Sequence, residues 1–390
     1  MTHILRCHEI TKTDFVRGEG CALYDAQGRR YLDLESGTWC ACLGHSHPRI
    51  ADVIARHAAQ LTHLGLRYPN DLAEEAAARA LELLGMDGGA CTFLSSGSEA
   101  VELGARVARQ VTGRSLLLSF SDSYLAAYGS AGGREEGGWW LLDPQAGAGM
   151  PLSDRLRSVP FDHLAGFVLE PGGSGSAFVR FPDPRLVEAI ATRVQQAGGL
   201  LVVDEVTTGL GRTGEWFGYQ HVDVRPDIVA LGKGLGNGYP ISAVAMTGDV
   251  AARLQASGLH YVQSHQNDPL GCAVATEVIA VIAEDGLVAR ARDLGAHFLD
   301  GLTRLAATRP GVQEARGRGL LLGLELQPHA ARTAAWVYRE LLRRGYLVGY
   351  HPAGHLVRFD PPLTIAVEEV DGLLECLADI LAAPLRIRQA

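Results

Sequence analysis

The chain has 390 residues, 47% hydrophobic and 20% charged, which fits a globular protein too long for a single core and predicts two domains. A formal net charge of −9 argues against nucleic acid or an anionic membrane surface as the main partner. The seven cysteines form no C-x-x-C pair, no apolar run reaches the roughly 18 residues of a membrane span, and residues 1–15 do not read as a signal peptide, so a reducing, cytoplasmic setting is the expectation.

In chain order, residues 1–45 read as β-rich. Cys21-Ala-Leu-Tyr-Asp25 and Arg30-Tyr-Leu-Asp-Leu34 flank a turn at Gln27-Gly28, a hairpin expected to pack beside the C-terminal part. Amphipathic helices are predicted over 49–63 and 71–84, the second capped by Asn70 or Asp71. A strand over 91–94 enters Ser95-Ser96-Gly97-Ser98, and a helix over 99–111 closes at Gly113. Strands are expected over 115–120, 166–169, 200–203, 227–231 and 241–246, with a helix over 183–197 between the second and third. The alternation of short apolar runs with helical periods predicts an α/β domain with a parallel sheet. Residues 129–149, glycine-rich around Trp139-Trp140, read as a functional or flexible loop. From about residue 269 the pattern becomes α+β: helices over 269–284 and 286–307, a strand over 319–326, a helix over 330–344, short strands over 346–349 and 356–359, and a last helix over 366–383.

Lysine usage carries the chemistry. Of 35 Lys plus Arg, only Lys12 and Lys233 are lysines. Arginine replaces lysine on a surface but not where an amine must lose its proton. Lys12 lies in a polar stretch and reads as a surface residue. Lys233 lies in the apolar, glycine-flanked Ala230-Leu-Gly-Lys-Gly-Leu-Gly236, a setting suited to a nucleophilic amine that forms a Schiff base. Asp204-Glu205 follows a strand buried on both faces, so a carboxylate stands at the C-terminal edge of a parallel sheet, where α/β ligands bind. Ser96-Gly97-Ser98 opens a helix, whose free N–H groups and dipole favour a phosphate. Singly, each has a structural reading, a buried acidic pair or an ordinary helix cap. Amine, carboxylate and phosphate cradle together are what pyridoxal 5'-phosphate (PLP) requires.

The motifs Leu43-Gly-His-Ser-His-Pro48, Ser96-Gly-Ser-Glu-Ala100, Asp204-Glu-Val206, Gly209-Leu-Gly-Arg-Thr-Gly214, Leu231-Gly-Lys-Gly234, Asn267-Asp-Pro-Leu270 and Arg358-Phe-Asp-Pro-Pro-Leu363 occur in one order. In them the chain resembles the class III aminotransferases, the group with acetylornithine, ornithine and 4-aminobutyrate aminotransferases, over nearly its whole length. The resemblance implies a fold type I PLP-dependent transferase. Its large domain, with a central mostly parallel sheet, would span 49–275, and a small α+β domain would be built from both termini, 1–48 and 276–390. It further implies a homodimer with shared active sites, acting on a small-molecule amino donor and an oxo-acid acceptor. By position, Lys233 is the Schiff-base lysine and proton shuttle, Asp204 pairs the pyridine nitrogen, Val206 packs beneath the ring, and Gly97 and Ser98 hold the phosphate. Tyr124 matches the aromatic residue stacked on the ring's other face, Ser264 a threonine reaching the neighbouring subunit's phosphate, and Arg358 the arginine for the substrate's α-carboxylate.

There are departures. Thr207 stands where a glutamine commonly contacts the cofactor's hydroxyl, and Leu125-Ala126-Ala127 where relatives often carry His-Gly-Arg. Gly175 stands where many relatives have a glutamate that gates the arginine. A smaller amino acid or an amine, in an open and partly apolar pocket, is therefore the expected donor, with Trp39 and Tyr68 as candidate walls. The pairs His45/His47, His260/His265 and His351/His355 read as packing and not metal ligands, since no carboxylate or cysteine completes a site. Transamination is the predicted reaction. A racemase or epimerase of the same family is the alternative, separated by its independence of an oxo-acid acceptor; a decarboxylating or mutase-type enzyme and a non-catalytic relative are further rivals.

Overall fold

A computed structural model describes residues 3–5, 7, 10–12, 14–172, 179–328, 333–351 and 355–382. Gly175 and residues 330–332 of the predicted 330–344 helix lie outside them.

Two seven-stranded sheets organise these residues. The first runs, in spatial order, Ala90–Leu94, Ser242–Met246, Ile228–Leu231, Leu200–Asp204, Leu164–Leu169, Leu116–Phe120 and Trp139–Leu142. Its last five strands are mutually parallel, while Ser242–Met246 is antiparallel to both neighbours. Strands Leu164–Leu169, Leu200–Asp204 and Ile228–Leu231 are buried at every position, because helices cover both faces. The helices form for legible reasons. Asp71–Leu84 starts where the Asn70 side chain accepts from Ala73 N at 2.8 Å and stops at left-handed Gly85. Gly97–Thr112 has a capping box between Ser96 and Glu99 and ends at Gly113.

The second sheet joins both ends of the chain. Phe15–Glu19, Ala22–Asp25 and Arg30–Leu34 continue into Tyr346–His351, Leu356–Phe359, Leu321–Leu326 and Val312–Arg318. The seam is parallel: Leu32, Asp33 and Leu34 pair with Tyr346, Leu347 and Val348. The resulting architecture is α/β, with a large, mostly parallel sheet and an α+β unit drawn from both termini.

Two expectations change, and one strand stands where none was predicted. The residues read as a loop over 129–149 contain Trp139–Leu142, an edge strand parallel to Leu116–Phe120. Its glycine-rich flanks hid it, and with Trp139 buried and the other three half-buried it lacks period-two alternation. The helix expected to reach residue 63 ends at Ala58, since Ile50 and Val53 are its only fully buried positions and nothing beyond them anchors the next turn. Val312–Arg318 is a strand although only Val312 in Val-Gln-Glu-Ala-Arg-Gly-Arg is fully buried, because it pairs along Leu321–Leu326.

Candidate active site

Several parallel strands end at one edge of the large sheet. Leu200–Asp204 carries Asp204 there, and Leu164–Leu169 is followed by Glu170. After Ile228–Leu231 the chain turns through Gly232 into a single helical turn, Lys233–Gly236, with Lys233 held at φ +42°. A non-glycine residue in that left-handed region is strained and persists only where its surroundings dictate it.

The Lys233 ammonium donates to Thr207 Oγ1 at 2.6 Å and lies 4.3 Å from the centre of the Trp39 ring. Burial pushes its pKa below the ordinary lysine value, partly opposed by the carboxylates of Asp204 and Glu170, while nearby Arg358 lowers it further. Burial and the neighbouring Glu170 raise the Asp204 carboxyl well above the usual range, against one hydrogen bond accepted from Val206 N at 3.0 Å. Burial thus disfavours the charged form of both groups, while each group's charge favours the other's.

The helix that begins at Gly97 forms the far wall. A Cβ on Gly97 would stand 2.6 Å from Val206 Cγ1, and one on Gly232 would stand 3.3 Å from the Gly97 Cα. The Lys233 turn, Val206 and the helix N-terminus therefore approach closely only because two glycines face each other. Ser242 Oγ donates to Ser96 O at 2.7 Å, pinning the turn before the helix. The first-turn amides of Gly97 and Ser98 have no intrahelical carbonyl to reach, leaving them for an anion. Ser98 Oγ accepts from Ala127 N at 3.0 Å, and Tyr124 N donates to Glu170 Oε2 at 3.0 Å, so the 124–127 loop is tied to both sides of the site.

Trp39 arrives by an unusual route. Ser36, Gly37, Thr38 and Trp39 all have positive φ, from 51° to 67°. Asp33 Oδ1 accepts from Glu35 N and Ser36 N at the start of this left-handed turn, and Ser36 Oγ donates to Asp360 O at 2.5 Å. The turn lays the indole against both cations, with the Arg358 guanidinium carbon 4.0 Å from its ring centre. Arg358 sits between Gly323 and Gly349 on the adjacent strands, and a Cβ on Gly349 would meet its Nη2 at 2.8 Å. Its Nε donates to Asp360 Oδ2 at 2.6 Å.

Lys233, Asp204, Val206, Thr207, Gly97, Ser98, Trp39 and Arg358 therefore converge. Tyr124 stands at their edge, half exposed. Tyr68 does not join them: it is exposed and lines an open groove of about 730 Å³ with His260, Tyr261 and Val262. Ser264 is exposed on the stretch just after that groove wall. Sequence reasoning missed Glu170, whose signal was available as an acid directly after a six-residue buried strand, and Glu35 and Asp360, for which no local signal existed. The premise that no carboxylate stands beside the paired histidines is corrected. Asp33 Oδ2 lies 2.7 Å from His45 Nε2, and Asp268 accepts from His63 Nδ1 and His265 Nδ1, each at 2.5 Å. Both oxygens of Asp268 are already engaged as hydrogen-bond acceptors.

The donor set fits PLP: a buried carboxylate, a desolvated amine and a glycine cradle at a helix N-terminus meet at one sheet edge. Fold and site together define a fold type I PLP-dependent transferase. The family model "Aminotransferase class-III" matches residues 6–127 and 150–381, and the chain belongs to that family. Acetylornithine aminotransferase 1 of Bordetella pertussis is 33% identical over 391 residues, 94% of each chain. The acetylornithine aminotransferase of Mycobacterium tuberculosis is 36% identical over 380 residues, covering 93% of this chain and 90% of its own. Among solved structures, the ornithine aminotransferase of Toxoplasma gondii superimposes with a TM-score of 0.86 at 29% identity, covering 97% of this chain and 92% of that one. An (S)-enantioselective omega-transaminase of Thermomicrobium roseum gives 0.87 at 27% identity, covering 97% and 95%. The protein is a PLP-dependent aminotransferase that moves an amino group from a donor to an oxo acid.

Proposed function

We propose that Lys233 is the covalent and proton-transferring residue of this aminotransferase. The observation that carries the reading is a buried amine, with lowered pKa, hydrogen-bonded to Thr207 and drawn toward Asp204 and Glu170. When bound, PLP supplies an aldehyde and an electron-withdrawing ring. Gly97 and Ser98 would hold its phosphate, Val206 and Tyr124 would flank the ring, and Thr207 would stand beside its polar edge. Asp204 would keep a proton on the pyridine nitrogen as its ionised partner, the ring's positive charge offsetting the burial and the Glu170 charge that raise the carboxyl's pKa. Burial lowers the Lys233 pKa, so its Nζ would serve as the base that takes the substrate's Cα proton and returns it two atoms away, on the carbon beyond the nitrogen. Trp39 bars water from one side of that amine and links it to Arg358, which would hold a substrate carboxylate.

Tyr68 and Ser264, exposed and outside the cluster, support a homodimer in which each subunit completes the other's site. Residues 1–48 and 276–390 would form the small domain around 49–275. No helix among the described residues is long and apolar enough to cross a membrane; a cytoplasmic enzyme is the accompanying proposal. The donor we favour is a small amino acid or an amine and not acetylornithine. Leu125 and Ala126 are buried, and the 125–127 segment carries no cation for a second carboxylate. Borohydride reduction of the holoenzyme followed by peptide mapping tests the central claim. A pyridoxyl group is expected on Lys233, and its absence there would refute the assignment.

A further inference from the structure

The guanidinium of Arg358 is not a bare anion receptor. Its side chain is 8% exposed and already faces two carboxylates of its own chain. Asp360 is fully buried and holds Nε at 2.6 Å, a bond that fixes the plane of the guanidinium against Gly349. Glu35 is different in kind. Its Oε1 is 3.6 Å from Nη2, too long for a hydrogen bond, and its side chain is 41% exposed. Among the described residues its hydrogen bonds are made by its backbone, whose N–H is held by Asp33 at the entrance to the left-handed turn that delivers Trp39. One carboxylate thus orients the arginine from behind, and the other covers its open end from the solvent side.

We propose that Glu35 is a specificity-determining residue, an intramolecular counter-ion that any substrate carboxylate must displace from Arg358. Asp360 is a positioning residue that stays in place. The inference rests on the reading of Arg358 as the carboxylate-binding arginine. It adds that the enzyme is biased toward donors without a carboxylate beside the amine, for which Glu35 need not move. A carboxylate-bearing substrate pays for separating the Glu35–Arg358 pair; an amine does not. The charged groups facing Glu35 are Arg358, Asp360 and Asp33. Burial, reinforced by Asp360 and Asp33 and opposed by Arg358, raises the Glu35 carboxyl to about 7. The sign follows: below that pH Glu35 is neutral and ceases to compete, so carboxylate binding should tighten on acidification through 7.

The test is equilibrium binding of butanoate to the holoenzyme by calorimetry, with butanamide as the uncharged control. At pH 8, Glu35→Gln should bind butanoate about two- to fivefold more tightly than wild type, the range for a partly exposed ion pair removed from competition. Butanamide binding should not change. Wild-type affinity for butanoate should rise between pH 8 and 6 and that of Glu35→Gln should stay level, while Arg358→Gln should abolish butanoate binding. In turnover, Glu35→Gln should lower KM for a 2-oxo acid by the same factor. Unaltered or weaker butanoate binding in Glu35→Gln would overturn the proposal. So would an equal gain for butanamide, which would indicate a steric opening, or butanoate binding retained in Arg358→Gln. None of these readouts needs Lys233 to react, so a failure here is separable from a missing pyridoxyl adduct.

Discussion

Substituting Gly97 by alanine strikes the point where three elements of the site touch. The added methyl would lie 2.6 Å from Val206 Cγ1, a distance that real carbon contacts do not reach, and 3.0 Å from Cγ2, tighter than most. Val206 follows the buried strand end at Asp204 and is bonded to it through its N–H, so it has little room to retreat. Overpacking of this kind costs about 1–3 kcal/mol. Alanine regains at most about 1 kcal/mol of backbone entropy over glycine in a helix, less at its first position. The net expectation for Gly97→Ala is a loss of about 1–2 kcal/mol in unfolding free energy and a weaker hold on the cofactor, because the amides of the first turn shift with the methyl. Val206→Ala removes both clashing carbons and leaves Val206 Cβ at 3.4 Å, an ordinary contact. The double mutant Gly97→Ala/Val206→Ala should therefore be more stable than the sum of the single changes predicts, by about 1–2 kcal/mol. Urea unfolding and spectrophotometric titration of the apoprotein with PLP measure both quantities across the cycle. A Gly97→Ala protein as stable as wild type, with strictly additive changes in the double mutant, would refute the close-approach argument.

Two further outcomes are expected. Glu205 is buried and accepts from Thr208 Oγ1 at 2.6 Å, Gly218 N at 2.8 Å and Tyr219 N at 2.7 Å, so Glu205→Ala should cost about 3 kcal/mol or more in urea unfolding by orphaning three donors. Because burial raises the Glu205 carboxyl to about 7, above its unfolded value, the wild type's advantage over that variant should be full at acid pH and shrink as pH rises through 7. Thr207→Val removes the oxygen that accepts from the Lys233 ammonium. The charged form loses a partner, so the Lys233 pKa should fall further, seen as a downward shift in the pH dependence of its modification by an aldehyde reagent in the apoprotein; an upward shift would contradict the geometry.

The large sheet and the heart of the site could be read in the sequence because each piece is a local signal. Leu200–Asp204 and Ile228–Leu231 are apolar runs that end in chemistry, at Asp204 and just before Lys233. Parallel strands then bring their C-terminal ends to one edge whatever lies between them. The near absence of lysine singled out position 233 without any contact being known. What failed locally was instructive. Trp139–Leu142 and Val312–Arg318 are strands because a neighbour offers them a ladder, and their own residues do not alternate strongly enough to announce it.

The sequence by itself determined the cofactor chemistry: an amine that must deprotonate, an acid at a strand end and a glycine-opened helix are each encoded within a few residues. Only the tertiary structure decided how the substrate end of the pocket is charged. Glu35 and Arg358 lie more than 300 residues apart and meet because Arg30–Leu34 joins the same sheet as Leu356–Phe359, across Tyr346–His351. A left-handed turn at Ser36–Trp39 then sets one indole against both Lys233 and Arg358. Such pairings depend on through-space distance between side chains in low dielectric, a quantity that no run of neighbouring residues contains.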